Sequence, residues 1–404
     1  MSESFKNVLL AIENKDSNFE QILEEHIKQT KDKEDIFVYT IDKTKNSFQV
    51  ALLNEAVRSK NEHAVDLLIK HGANVNEFVY DIERIIATPL YVAVKAKSDA
   101  MVQLLLQKGA DPSLSQKDEE TFLAEPPLIN AIENGLNSIA KILLERGANP
   151  NACSSYLFPN GRTKSYSAAQ LAIQENNIEI LKLLFERGAS SKELVEDKNG
   201  LKKDSLVIYA LKHVPRSGNN NIYMPIIELL LENKADPDFD TLLHRVVTLD
   251  ILSDLQERII KLLLLSNGVN INKRDENGQT PLHLAVNKIS LYLEILFKNS
   301  TNADPNIGDK NGDTSLHLAV RNYKERKDIL AIYHLIEHGA DINKANNAGE
   351  TPLSIAKDSN KPKLVELIEE AAKEYNKSLP TKALSNVTIE AFNEVIEAEV
   401  DKVR

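Results

Sequence analysis

One six-residue phrase recurs along this chain and sets most of what it can fold into. It is clearest at Thr280-Pro281-Leu282-His283-Leu284-Ala285, and returns as Thr314-Ser315-Leu316-His317-Leu318-Ala319, Thr351-Pro352-Leu353-Ser354-Ile355-Ala356 and Thr88-Pro89-Leu90-Tyr91-Val92-Ala93. Weaker copies end at Ala56, Ala131, Ala172, Ala210 and Val246, so nine copies stand 34 to 41 residues apart. Each of the first four is followed 16 residues later by a Gly-Ala pair, at Gly72, Gly109, Gly147 and Gly188. A chain of such short registered units grows its core along one axis, by stacking neighbours, rather than folding into independent globular domains.

The residues of one unit prescribe its elements. Thr280 can cap a helix by accepting an amide hydrogen bond, and Pro281 at the first helical position lacks only an N–H that would be unpaired anyway. A second helix follows, with Val65, Leu67 and Leu68, or Met101, Val102, Leu104 and Leu105, at the 3.6-residue period. It ends at the glycine, which can take the left-handed C-cap conformation. Asp111-Pro112, Asn149-Pro150, Asp236-Pro237 and Asp304-Pro305 then give turn signals. Each unit is helix, turn, helix, finger.

This phrase resembles the T-P-L-H-x-A signature of the ankyrin repeat, whose period is about 33 residues. The resemblance covers residues 48–375. It implies an all-α solenoid of about nine helix-turn-helix repeats with finger loops and helical caps. Residues 1–47, with amphipathic segments at Val8 to Ile12 and Phe19 to Ile27, are expected to form an N-terminal helical cap. Residues 376–404 are expected to form an acidic helical tail with Ile389, Phe392, Val395 and Ile396 on one side.

The copies depart from the pattern in a graded way. From the glycine to the next signature leucine the distance is 14 residues in the last three junctions, but 18, 19, 22 and 19 in the first four and only 9 in the fifth. The array is therefore regular in its C-terminal third and elaborated in its N-terminal half. Residues 74–87, 111–125 and 149–166 hold six aromatics, Phe78, Tyr80, Phe122, Tyr156, Phe158 and Tyr166, a density well above the 5% of the whole chain. These rings either pack on one another to hold the long fingers upright or, with Arg162 and Lys164, form a protein-binding edge; the two readings are compatible. Lys234 replaces a glycine, and extra residues fall around 215–221 and 249–255, so the array is expected to be irregular, a soft joint, near 212–255.

Catalytic chemistry finds little support. His244, His283 and His317 occupy the signature histidine slot, where the resemblance implies a structural hydrogen-bonding ring. His334 and His338 are four apart on one helix but lack a third ligand in view. Cys153, the single cysteine, permits no intramolecular disulfide and no cysteine-cluster metal site, and reads as a surface thiol. No catalytic residue, metal or cofactor is expected. The formal charge of −11 repels phosphate backbones, which disfavours nucleic acid. No apolar run is long enough to span a membrane and no export signal is seen at the front, so a cytoplasmic chain is expected.

The resemblance implies a non-enzymatic scaffold that binds a partner protein through its fingers and concave helix face, as a monomer. The Lys, Asn and Ile richness and the glutamate-rich C-terminal segment also look like ankyrin-repeat effectors that intracellular bacteria deliver into the host cytosol by type IV secretion, with a host protein as partner. Two alternatives stay open. One is an enzyme or enzyme regulator with a cryptic pocket near 212–255. The other is a substrate of host asparaginyl hydroxylation at Asn76, Asn272 and Asn343, which occupy the finger asparagine slot that such enzymes modify in this family.

Overall fold

The computed structural model describes residues 2–30, 38–40, 49–80, 86–117, 124–157, 163–196, 203–213, 223–236, 241–249, 253–265, 269–286, 288, 291–323, 326–359 and 361–377. The chain divides into two compact units, 1–215 with 219–237, and 216–218 with 238–404.

The first unit stacks six helix pairs: α1 Glu3–Glu13 with α2 Phe19–Gln29, α3 Leu52–Arg58 with α4 Glu62–Lys70, α5 Pro89–Lys95 with α6 Asp99–Gln107, α7 Pro127–Glu133 with α8 Asn137–Glu145, α9 Ala168–Gln174 with α10 Ile178–Glu186, and α11 Leu206–His213 with α12 Met224–Glu232. First helices pack in one row (α1, α3, α5, α7, α9, α11), while α6, α8, α10 and α12 pack in a second. The second unit repeats this with α13 Leu242–Thr248 and α14 Ser253–Leu265, α15 Pro281–Val286 and α16 Leu291–Lys298, α17 Ser315–Asn322 and α18 Arg326–Glu337, and α19 Pro352–Asp358 and α20 Pro362–Lys377. Among the described residues no helix is long and apolar enough to cross a membrane.

The repeat phrase explains this packing. Its closing alanine is sealed in eight of the nine copies, from Ala56 and Ala93 to Ala285, Ala319 and Ala356, and Val246 is sealed in the ninth; a small side chain there lets neighbouring first helices pack closely. The signature leucines Leu90, Leu128, Leu243, Leu282 and Leu316 are likewise buried. Leu353, in the last copy, is only half-buried. First helices start on Thr88 and Ser167, whose hydroxyls accept the amides of Tyr91 and Gln170 at 3.3 and 3.1 Å, an N-cap worth about 1 kcal/mol.

Among the described residues, the tight turns inside the first five pairs each hold one left-handed residue, Gly135 in the turn between α7 and α8. Lys60, Lys97 and Asn176 supply it at φ 50–52°, and Lys15 does the same between α1 and α2. The N-terminal pair is thus built like a repeat, and Asn61 fastens it to the first signature copy by donating to the Ile12 carbonyl at 3.1 Å. Lys234 keeps the left-handed conformation of the glycine it replaces, at φ 48°.

The elongated fingers are antiparallel β-hairpins, a feature absent from the sequence reading. They comprise β1 Val38–Thr40 with β2 Gln49–Ala51, β3 Val79–Tyr80 with β4 Ile86–Ala87, β5 Gln116–Lys117 with β6 Ala124–Glu125, β7 Cys153–Leu157 with β8 Thr163–Ser167, and β9 Leu194–Glu196 with β10 Lys203–Ser205. The pairing of Ile86 with Lys117 joins two of them into one four-stranded sheet. Next to it β2 packs on β3 and β6 on β7, and β8 packs on β9. The fold class remains an all-α ankyrin-type solenoid, since the strands are short and confined to the fingers.

Candidate functional site

The fingers are tied to one another by a side-chain ladder at the fourth position after each helix-ending residue. Asn76 accepts the Asp111 amide at 2.8 Å and donates to the Gly109 carbonyl at 3.3 Å. Asn151 repeats this with the Ser190 amide and the Gly188 carbonyl, Asn272 with Asp304 and Asn302, and Asn306 with Asp341 and Gly339. Ser113 keeps the accepting half, taking the Asn149 amide at 3.1 Å. An amide side chain suits this slot because it offers a donor and an acceptor to two backbone groups at once. Asn343 occupies the same slot in the last finger, where no further Gly-Ala follows; it is exposed.

The signature histidines form a second set of ties. His283 Nε2 lies 3.0 Å from the Asp313 carbonyl, so this nitrogen carries the hydrogen. Its Nδ1 is then the acceptor for the Thr280 amide and hydroxyl at 3.1 and 2.8 Å. His317 does the same with the Glu350 carbonyl and Thr314. Burial holds both rings below the usual histidine pKa, opposed by the backbone bond. In the α13 copy His244 Nε2 reaches the Lys273 and Gln279 carbonyls, while Nδ1 is shielded from solvent and has no hydrogen-bond partner. All three rings are structural connectors between a first helix and the next finger.

Hairpin β7–β8 carries three of the expected partner-binding residues in a definite register. Tyr156 pairs with Lys164 and Ser154 with Tyr166. Tyr166 is half-buried, and burial of Tyr209 raises the pKa of that phenol, with the nearby Tyr166 adding a smaller push in the same direction. Phe78 is half-buried ahead of β3, and Tyr80 lies on that strand opposite Ile86. Phe122, Phe158 and Arg162 lie outside the described residues. Cys153 is an exposed free thiol at the start of β7.

Between these fingers and the first helices runs a polar network that sequence reasoning missed. Tyr91 donates a short hydrogen bond to Glu125 Oε2, and Asn130 donates to Tyr91 Oη and to Glu125 Oε1, both at 3.3 Å. Gln174 donates to Tyr209 Oη at 2.5 Å, and the Tyr209 ring stacks on His213 with centroids 3.9 Å apart. Ser167 donates to Glu193 at 2.5 Å, where burial raises the carboxyl pKa more than this bond lowers it. The available signal was Tyr91, a tyrosine in the histidine slot of the repeat. In the second unit the corresponding space is an open groove of about 410 Å³ between Arg245 and Thr248 of α13, with Thr241 just before it, and the finger residues Asp275, Asn277 and Gln279.

His334 and His338 do not come together as ligands. His338 Nδ1 donates to the His334 carbonyl at 2.8 Å, and its ring stacks on Phe297 with centroids 4.1 Å apart.

A family model described as ankyrin repeats (three copies) matches residues 9–116, 62–154, 208–307, 249–346 and 289–378, more than half of the chain. Similar proteins include two ankyrin repeat proteins of Acanthamoeba polyphaga mimivirus, 25% identical over 64% of this chain and 34% of the relative, and 26% identical over 83% and 31%. An ankyrin repeat protein of Fowlpox virus (strain NVSL) is 33% identical over 42% of this chain and 48% of the relative. The chain thus spans less than half the length of each of these curated relatives. Helix pairs, finger ladder, connecting histidines and family match agree: the chain belongs to the ankyrin-repeat family, whose repeats form protein–protein interaction scaffolds.

Proposed function

We propose that this chain is a non-enzymatic scaffold that captures a protein partner along the hairpin fingers of its first unit and the first-helix residues beneath them. The observation that carries the reading is the side-by-side arrangement of the hairpins from β3 to β8. It turns loops, which would have to be ordered on binding, into a rim already held by strand pairing, so less conformational entropy is lost on association. Tyr, Phe and Arg on such a rim are the residue types that anchor interfaces. Truncating Phe78, Tyr80, Phe122, Tyr156, Phe158 and Tyr166 together to alanine should abolish partner capture while circular dichroism stays unchanged. Capture surviving all six changes rejects the finger reading, and R162A with K164A tests the flanking cations in the same assay.

A second reading concerns hydroxylation of finger asparagines, and one contrast favours a single site. Asn76 and Asn272 use both ends of their amides in the ladder, whereas exposed Asn343 stands where the ladder stops. Incubation with an asparaginyl hydroxylase and peptide mass spectrometry should find Asn343 modified ahead of the other two; equal modification at all three rejects the ordering. Delivery by type IV secretion into a host cell rests on composition and the acidic C-terminal segment alone, which lies outside the described residues. Unchanged delivery after deletion of residues 385–404 rejects it.

A further inference from the structure

Glu20 and Glu24 of α2 and His71 at the end of α4 bring one ligand atom each to within 4.8 Å of one another. Glu20 and Glu24 are four apart on one helix, where like charges repel. Their neighbouring cations are held loosely, Lys70 at 3.6 Å from Glu20 and Lys28 at 3.7 Å from Glu24, with all four side chains about half exposed or more. Such pairs contribute little.

His71 is the independent observation. In two of the later copies the residue closing the second helix is a cation with a direct partner on the preceding pair: Lys108 meets Asp66 at 2.7 Å, and Arg187 donates to the Leu144 carbonyl at 2.7 Å. His71 holds the same position facing α2 but forms no such bond, and its Nε2 is shielded from solvent without a hydrogen-bond partner. Two carboxylates and an imidazole therefore stand close together without bonding one another. Ligands at about 2.1 Å from a shared tetrahedral ion are about 3.4 Å apart, a spacing these side chains can reach by small rotations at the surface.

We propose that Glu20, Glu24 and His71 form a divalent transition-metal site, best suited to Zn²⁺, that staples α2 to the end of α4. The imidazole selects against Mg²⁺ and Ca²⁺, which prefer all-oxygen sets. Three protein ligands leave the fourth position to water. The bound ion offsets the Glu20–Glu24 repulsion and joins the N-terminal pair to the first signature copy at a second point, besides the Asn61 bond to Ile12.

The test is calorimetric titration of the full chain with ZnCl₂, comparing wild type with H71Q and with E20Q/E24Q. These are surface changes, and far-UV circular dichroism checks that both variants fold. One site is expected in wild type, weakened at least tenfold in each variant and unchanged in H334Q. Hydrogen exchange of residues 19–29 should slow on adding Zn²⁺ in wild type alone. Absence of Zn²⁺ binding to wild type, or binding by H71Q and E20Q/E24Q as tight as that of wild type, overturns the site. Binding without added protection of residues 19–29 overturns the staple.

Discussion

At the residue scale, the ties between repeats are polar groups with fixed roles. His283 and His317 donate from Nε2 to carbonyls and accept at Nδ1, an arrangement only the neutral ring can make. Burial lowers their pKa in the folded chain, against about 6.5 when unfolded. Above that pH both states hold neutral rings and the stabilisation is complete. As pH falls below it, the unfolded chain binds protons that the folded chain refuses, so stability is lost on acidification. Urea midpoints measured between pH 7 and pH 5 should fall in wild type and fall less steeply in H283Q/H317Q; equal slopes would rule out these rings as the cause. Backbone conformation gives a second prediction. Lys234 sits at φ 48°, which costs a non-glycine residue about 1 kcal/mol, so K234G should raise stability by up to that amount in equilibrium unfolding.

At the element scale, finger spacing is set by close backbone approach as well as by the asparagine ladder. A Cβ on Gly312 would lie 2.8 Å from the Asn347 nitrogen, which donates to the Asn311 carbonyl at 2.9 Å. Gly349, at a similar φ, has open space around it. G312A should therefore cost about 2 kcal/mol or more and G349A about 1 kcal/mol, both by denaturant unfolding. N306A should cost about 1 kcal/mol through its two lost bonds, whereas N343A should be near neutral; equal losses would contradict the ladder. The helices of these units were legible in the sequence because Thr-Pro starts, Gly-Ala ends and apolar periodicity each have a local cause. The hairpins were not. Gln116-Lys117 and Ala124-Glu125 show no strand pattern; they pair within one finger, and Lys117 pairs with Ile86 because neighbouring long fingers lie side by side. The polar network under them was hidden for the same reason: Tyr91, Glu125 and Asn130 meet only after stacking. Of the finger aromatics, Tyr80, Tyr156 and Tyr166 lie on strands.

At the scale of the whole molecule, the chain combines two arrays of one construction with different edges. The first unit carries strand-paired fingers, and the second carries short turns locked by Gly278 and Gly312 against the finger that follows. The division between units falls at 237/238, beside the shortened finger that follows Lys234 in the sequence. Repeat arrays unfold as coupled neighbours, so a weak link separates them into blocks. Urea unfolding followed by hydrogen exchange should accordingly resolve two cooperative blocks that part near residue 238; a single block with uniform protection would contradict this. The central claim is that the strand-paired rim is the binding edge, and hydrogen exchange of the chain alone and with its captured partner tests it most directly. The account predicts slowed exchange in peptides spanning residues 79–87, 116–125 and 153–167. Protection confined to second helices α6, α8 and α10, or to the fingers of the second unit, would contradict it.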